Sequence, residues 1–141
     1  MAVSSELSDA IKERLNDTSL CLTPVDISHL EVELFDTRSW DEYAVSHLPQ
    51  AHWVGENPED TARKIGQSSQ KTKIFYCTLG VRSEPFVEKA RAMGIEAYNL
   101  FGGILSWVHA GHKIYDLEEL ETRQVHPYSE NWARWLEHTD C

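Results

Sequence analysis

The stretch Lys73-Ile74-Phe75-Tyr76-Cys77-Thr78-Leu79-Gly80-Val81-Arg82-Ser83-Glu84-Pro85 sets a cysteine where a strand gives way to a helix, and the segments on either side are organised around that junction. Ile74, Phe75 and Tyr76 are apolar and β-favouring, which predicts a strand buried on both faces of a parallel sheet and ending at Cys77. Ser83 is expected to cap the following helix, with Glu84 and Pro85 in its first turn. Phe86, Val87, Ala90 and Met93 are expected to form its inward face, and Gly94 to stop it. Five residues separate Cys77 from Ser83. They must curl into a bowl whose backbone N–H groups point toward the sulfur and the helix N-terminus, and such a bowl binds anions.

A cysteine so placed is expected to present a reactive thiolate, since aligned N–H dipoles and the Arg82 guanidinium both favour anionic sulfur. A small buried hydrophobe ending a strand is the plainer alternative. The flanking residues decide between them. Upstream stands Leu34-Phe35-Asp36-Thr37-Arg38-Ser39-Trp40-Asp41-Glu42-Tyr43-Ala44-Val45-Ser46-His47-Leu48-Pro49-Gln50-Ala51, and downstream stands Asn99-Leu100-Phe101-Gly102-Gly103-Ile104-Leu105-Ser106-Trp107.

Together with Cys-x-x-Gly-x-Arg-Ser from Cys77 to Ser83, these segments resemble the three motifs of the rhodanese family: Asp-x-Arg followed by Glu-Tyr and His-Ile-Pro-Gly-Ala, the cysteine loop, and Gly-Gly-x-x-x-Trp. The resemblance covers about Thr23 to Ile114. Leu48 and Gln50 depart mildly from it, as does Thr78, where some members carry a positive residue. It implies an α/β fold with a central parallel five-stranded sheet flanked by helices on both faces. It further implies a sulfurtransferase that carries sulfane sulfur on Cys77 as a persulfide. The donor would be a small compound such as thiosulfate and the acceptor cyanide or a thiol, with a protein acceptor left open. Cys77 and Arg82 are the expected catalytic residues, and Thr78, Leu79, Gly80, Val81 and Arg82 the expected binding loop. Asp36 and Arg38 are expected to brace the first strand's end beside that loop. No cofactor is implied.

At 141 residues, with 41% hydrophobic and 26% charged, the chain has the size and balance of one globular domain. Within residues 1–141 the motif-bearing core is expected over about 23–114, an N-terminal helix over about 5–16 and a helical extension over about 115–141. A formal charge of -10 argues against nucleic acid and anionic membrane surfaces as partners. No apolar run reaches the length of a span, and the first residues lack the pattern of a signal peptide. Cys21, Cys77 and Cys141 are odd in number and widely spaced, which suits a reducing compartment. A cytoplasmic location is the resulting expectation.

Leu7, Ile11 and Leu15 mark one stripe of the N-terminal helix. Thr23-Pro24 starts a short helix with Val25, Ile27 and Leu30 on its apolar side, and Glu31 to Phe35 reads as a strand. Ser39 and Glu42 form a capping box opening a helix through Val45. A short strand is expected at His52-Trp53-Val54, a helix from Asn57-Pro58 to Gly66, a polar linker over Gln67 to Thr72, and a strand from Ile95 to Leu100. The latter completes a right-handed βαβ unit with the cysteine strand. Asp116, Glu118, Glu119 and Glu121 around Leu117 and Leu120 suggest a solvated helical turn. Trp132, Trp135 and Leu136 suggest a last helix docked on the core, with a partner-binding tail as the alternative.

A metal site, another enzyme reading and a binding reading compete. His109 and His112, three apart, invite a metal, but no carboxylate or cysteine stands at ligand spacing and no metal is expected. A cysteine phosphatase or arsenate reductase would use a similar loop, yet one with five residues between cysteine and arginine where this chain has four. A non-catalytic rhodanese-like module would usually have lost the cysteine.

Overall fold

The computed structural model describes residues 5–15, 18–65 and 71–125. The cysteine-bearing strand is β4 (Thr72–Tyr76), and its three apolar residues Ile74, Phe75 and Tyr76 have no exposed surface. On one side it pairs with β2 (Val32–Asp36), in register from Val32 opposite Thr72 to Asp36 opposite Tyr76. On the other it pairs with β5 (Ala97–Leu100). Two-residue strands complete the edges: β1 (Cys21–Leu22) beside β5, and β3 (His52–Trp53) beside β2. The order β1-β5-β4-β2-β3 is parallel throughout. β1 carries no strand signal of its own, since two residues after a 3-10 turn (Thr18–Leu20) are too few to show a period.

Side chains leave a strand alternately to opposite faces, and each face here has its own core. Leu34, Ile74, Tyr76 and Leu100 meet Ile27 of α2 (Pro24–Ser28) and Ile104 and Trp107 of α6 (Gly103–His109). Phe35, Phe75 and Ala97 meet Ile65 of α4 (Pro58–Ile65) and Phe86, Val87 and Ala90 of α5 (Glu84–Ala92). Each buried aliphatic or aromatic side chain in these layers contributes about 1.5–3 kcal/mol of hydrophobic stabilisation. A third cluster joins Ile11 of α1 (Ser5–Arg14) to Leu79 of the cysteine loop and Leu105 of α6. The N-terminal helix therefore packs directly on that loop.

The short helices start as their sequences predict. Thr23 with Asp26, and Ser39 with Glu42 of α3 (Trp40–Val45), form complete capping boxes. Asn57 Oδ1 accepts the Asp60 N–H ahead of α4 at 3.0 Å.

Some local expectations give way to tertiary packing. Met93 is 48% exposed and Val25 63% exposed, with Leu30 also on the surface. α5 needs only Phe86, Val87 and Ala90 to cover its strip of sheet, and α2 rests on Pro24 and Ile27 alone. The acidic segment after Ile114 is an antiparallel hairpin, β6 (Ile114–Tyr115) with β7 (Glu121–Thr122). Asp116 Oδ1 accepts the N–H groups of Glu118 and Leu120, turning the chain at the place where a helix would need those donors for itself. Tyr115 also exchanges backbone hydrogen bonds with His47, tying the hairpin to the segment after α3. The expected linker residues 67–70, Gly66, the tryptophan-bearing helix over residues 128–136 and Cys141 lie outside the described residues.

Candidate active site

Chain connections leave β2 toward the sheet edge at β3 and leave β4 the other way, toward β5. The carboxyl ends of these two central strands therefore border a crevice, the usual position for a site in an open parallel sheet. Cys77 follows Tyr76 at the end of β4 and is 1% exposed. The loop from Cys77 to Ser83 curls back over it, and the Gly80 N–H donates to Cys77 Sγ at 3.1 Å. Ser83 Oγ lies 3.5 Å from the same sulfur.

The curl is held from three directions. Asn99 of β5 donates through Nδ2 to the Gly80 carbonyl at 2.7 Å, and its Oδ1 accepts from the Ser83 hydroxyl at 2.6 Å. Ser83 stands at the helix start as expected, but its backbone is helical and its side chain makes no cap hydrogen bond. The hydroxyl serves the site instead. The N-terminus of α6 supplies the second support, with Ile104 N–H donating to the Cys77 carbonyl and Leu105 N–H to that of Thr78. So close an approach demands Gly103, where a Cβ would stand 2.2 Å from the Cys77 carbonyl oxygen at a φ of +56. Gly80, at φ +98, would likewise drive a Cβ to 2.9 Å from the Leu100 carbonyl oxygen.

The third support is electrostatic. Arg82 Nη1 and Nη2 each donate to one oxygen of Glu42 at 2.8 Å, a bidentate fork. Thr78 Oγ1 bridges them, accepting from Arg82 Nη2 at 2.9 Å and donating to Glu42 at 3.3 Å. Burial works to raise the Glu42 pKa. The hydrogen bonds and charge of Arg82, with the Ser39 N–H and hydroxyl, outweigh it and bring the carboxyl down to about 2. Arg82, which the sequence offers either as charge at the rim or as a brace for the loop, lays its guanidinium on Glu42 and Thr78. Val81 sits half-buried at the outer turn of the loop, while Thr78, Leu79 and Gly80 are buried.

Asp36 and Arg38 form a second carboxylate–arginine pair at 2.7 Å with no exposed surface. Tyr76, the residue before Cys77, donates its hydroxyl to Asp36 at 2.7 Å and accepts the Leu48 N–H at 3.1 Å. Burial, then the Asp36 charge, keep the Tyr76 phenol well above its ordinary pKa, so it stays a donor. Arg38 also donates to the Ser46 carbonyl, while Thr37 donates through both its N–H and its hydroxyl to the Tyr76 carbonyl. This network joins the end of β2 to the end of β4.

Three contributors escaped the sequence reading. Glu42 was legible as a helix cap, Ser83 as a cap, and Asn99 as a residue before the Gly-Gly turn, but none as a partner of the loop. Three of the described histidines are used in packing: His47 stacks on Tyr43, His112 on Trp107, and His52 lies against Phe35.

A family model for the rhodanese-like domain matches residues 25–110. No curated protein sequence matches significantly. A solved protein of Bacillus halodurans aligns with 89% of this chain and 96% of its own at 18% identity and a TM-score of 0.63. A rhodanese-like domain protein of Staphylococcus aureus aligns at 28% identity over 62% of this chain and 89% of its own, with a TM-score of 0.52. A thiosulfate sulfurtransferase of Pseudomonas aeruginosa aligns at 16% identity and a TM-score of 0.61, over 94% of this chain and 27% of its own. Among the described residues, no helix is long and apolar enough to cross a membrane. With the family model spanning more than half of the sequence and the five-stranded parallel sheet ending at the cysteine loop, this chain belongs to the rhodanese-like domain family.

Proposed function

We propose that the protein is a sulfurtransferase that moves sulfane sulfur from a small donor to a thiophilic acceptor through a persulfide on Cys77. The observation that carries this reading is the Gly80 N–H pointing at Cys77 Sγ from inside a loop fixed on three sides. A donor held in place before the reaction stabilises charge on sulfur without reorganising during it. In the first half-reaction the Cys77 thiolate attacks the outer sulfur of the donor. The donor's S–S bond breaks, and sulfite (or a thiolate, from a persulfide donor) departs with the bonding electron pair. In the second, cyanide or a thiolate attacks the outer sulfur of the Cys77 persulfide, and the thiolate is regenerated. Both steps are displacements at sulfur with no net electron demand on the protein. Arg82 acts as a positioning residue, holding the loop through Glu42 and Thr78.

A phosphatase reading has less support, since its anion would need the Arg82 charge that Glu42 occupies and a loop one residue longer. Mass spectrometry of protein incubated with excess thiosulfate or a persulfide donor tests the proposal. The expected result is a one-sulfur gain mapped to Cys77 and removed by cyanide, absent from a Cys77→Ser variant that folds normally. A Cys77→Ser variant with substantial sulfur transfer, or no gain with either donor, would overturn it.

A further inference from the structure

The charge at the mouth of the loop has a consequence for which donors it admits. Arg82 is 24% exposed and Glu42 4%, and the two form a closed fork in which each carboxylate oxygen takes one guanidinium nitrogen. The Glu42 carboxyl is held far below neutrality, so the fork is a neutral unit under ordinary conditions. The nearby Arg38 is fully buried against Asp36. The chain as a whole carries a formal charge of -10. Neither arginine is then left to balance a donor's second negative charge, and what the loop offers an anion is backbone N–H.

Building on the sulfurtransferase reading, we infer that Glu42 sets the charge class of the donor: by occupying the Arg82 guanidinium it selects singly charged sulfane compounds, of the organic persulfide or thiosulfonate type, over dianionic thiosulfate. The residue is then a specificity determinant, acting through Arg82 without touching the sulfur.

Methanethiosulfonate is the suitable probe, because a methyl group replaces one charged oxygen of thiosulfate while the sulfane sulfur is retained. Sulfur transfer to cyanide is measured with both donors, on the wild type and on Glu42→Gln. Gln still completes the Ser39 capping box, so the helix start survives. The wild type is expected to show kcat/KM about tenfold or more lower for thiosulfate, after correction for each donor's uncatalysed reaction with a thiol. Glu42→Gln, freeing the Arg82 charge, is expected to raise the thiosulfate-to-methanethiosulfonate ratio about fivefold or more, a comparison in which intrinsic donor reactivity cancels. Raising the ionic strength on the wild type alone should increase kcat/KM for thiosulfate more than for the singly charged donor, and this readout needs no variant. Transfer that is equal for both donors and indifferent to salt, or a ratio unchanged in a folded Glu42→Gln, would overturn the inference while leaving the sulfurtransferase reading intact. No transfer from either donor would overturn both.

Discussion

The Asp36–Arg38 pair and the Glu42–Arg82 pair are chemically the same contact, an arginine laid on a carboxylate at 2.7 and 2.8 Å, yet they do different work. The first is sealed. It takes a tyrosine hydroxyl and a carbonyl into its network and joins the ends of two central strands, and even so Arg38 Nη1 has no hydrogen-bond partner among the described residues. The second opens to solvent on the arginine side and holds a loop. A sealed pair contributes little net stability over an apolar replacement of both partners, but breaking it strands a charge in a medium that cannot solvate it. A rim pair can recruit water when broken. Scaffold and site are thus held by one chemistry at two depths.

That contrast orders the expected effects. Arg38→Met should cost about 3–5 kcal/mol in urea denaturation at neutral pH, because Asp36 is left buried without its counter-charge. Tyr76→Phe removes a donor to Asp36 and the acceptor of the Leu48 N–H, and should cost about 2 kcal/mol by the same measurement. Arg82→Met should cost about 1 kcal/mol, since water can reach the vacated side of Glu42, while sulfur transfer falls because the loop is no longer held. Equal stability losses in Arg38→Met and Arg82→Met would erase the distinction between depths.

The last effect is on acid sensitivity. The Glu42 pKa is about 2 in the folded chain against an ordinary 4.5, so between these values the unfolded chain binds a proton that the folded chain does not. Falling pH therefore favours unfolding across that window. The contribution is fully present above pH 4.5 and lost as pH drops toward 2. Glu42→Gln should show a shallower decline of stability over the same window, and an unchanged slope would mean that the fork with Arg82 does not hold in solution.

Much of this was legible before any coordinates. The strand at Ile74 to Tyr76, the helix start at Thr23-Pro24, the capping box at Ser39 and the helix stop at Gly94 are local statements, and local sterics and hydrogen bonding decide them. The segment after Ile114 failed for an equally local reason with a non-local remedy. Alternating acids and leucines fit a helical turn, but His47 offers Tyr115 a strand partner that nothing nearby in the sequence announces.

That a cysteine stands at a strand-to-helix junction, within motifs of one family, follows from consecutive residues, because strand propensity, turn residues and motif spacing are local properties. What surrounds that cysteine depends on contacts between distant segments. Glu42 lies 40 residues from Arg82 along the chain and Asn99 lies 16 from Ser83. Each had been read for its nearest neighbours, as a cap or as part of a motif. Which of two possible partners a polar side chain takes depends on what the sheet register brings to it once water has been excluded. Parallel pairing of β2, β4 and β5 puts those side chains at the same end of the sheet, and there the cost of a buried unpaired charge or hydroxyl makes the long-range partner the one that wins.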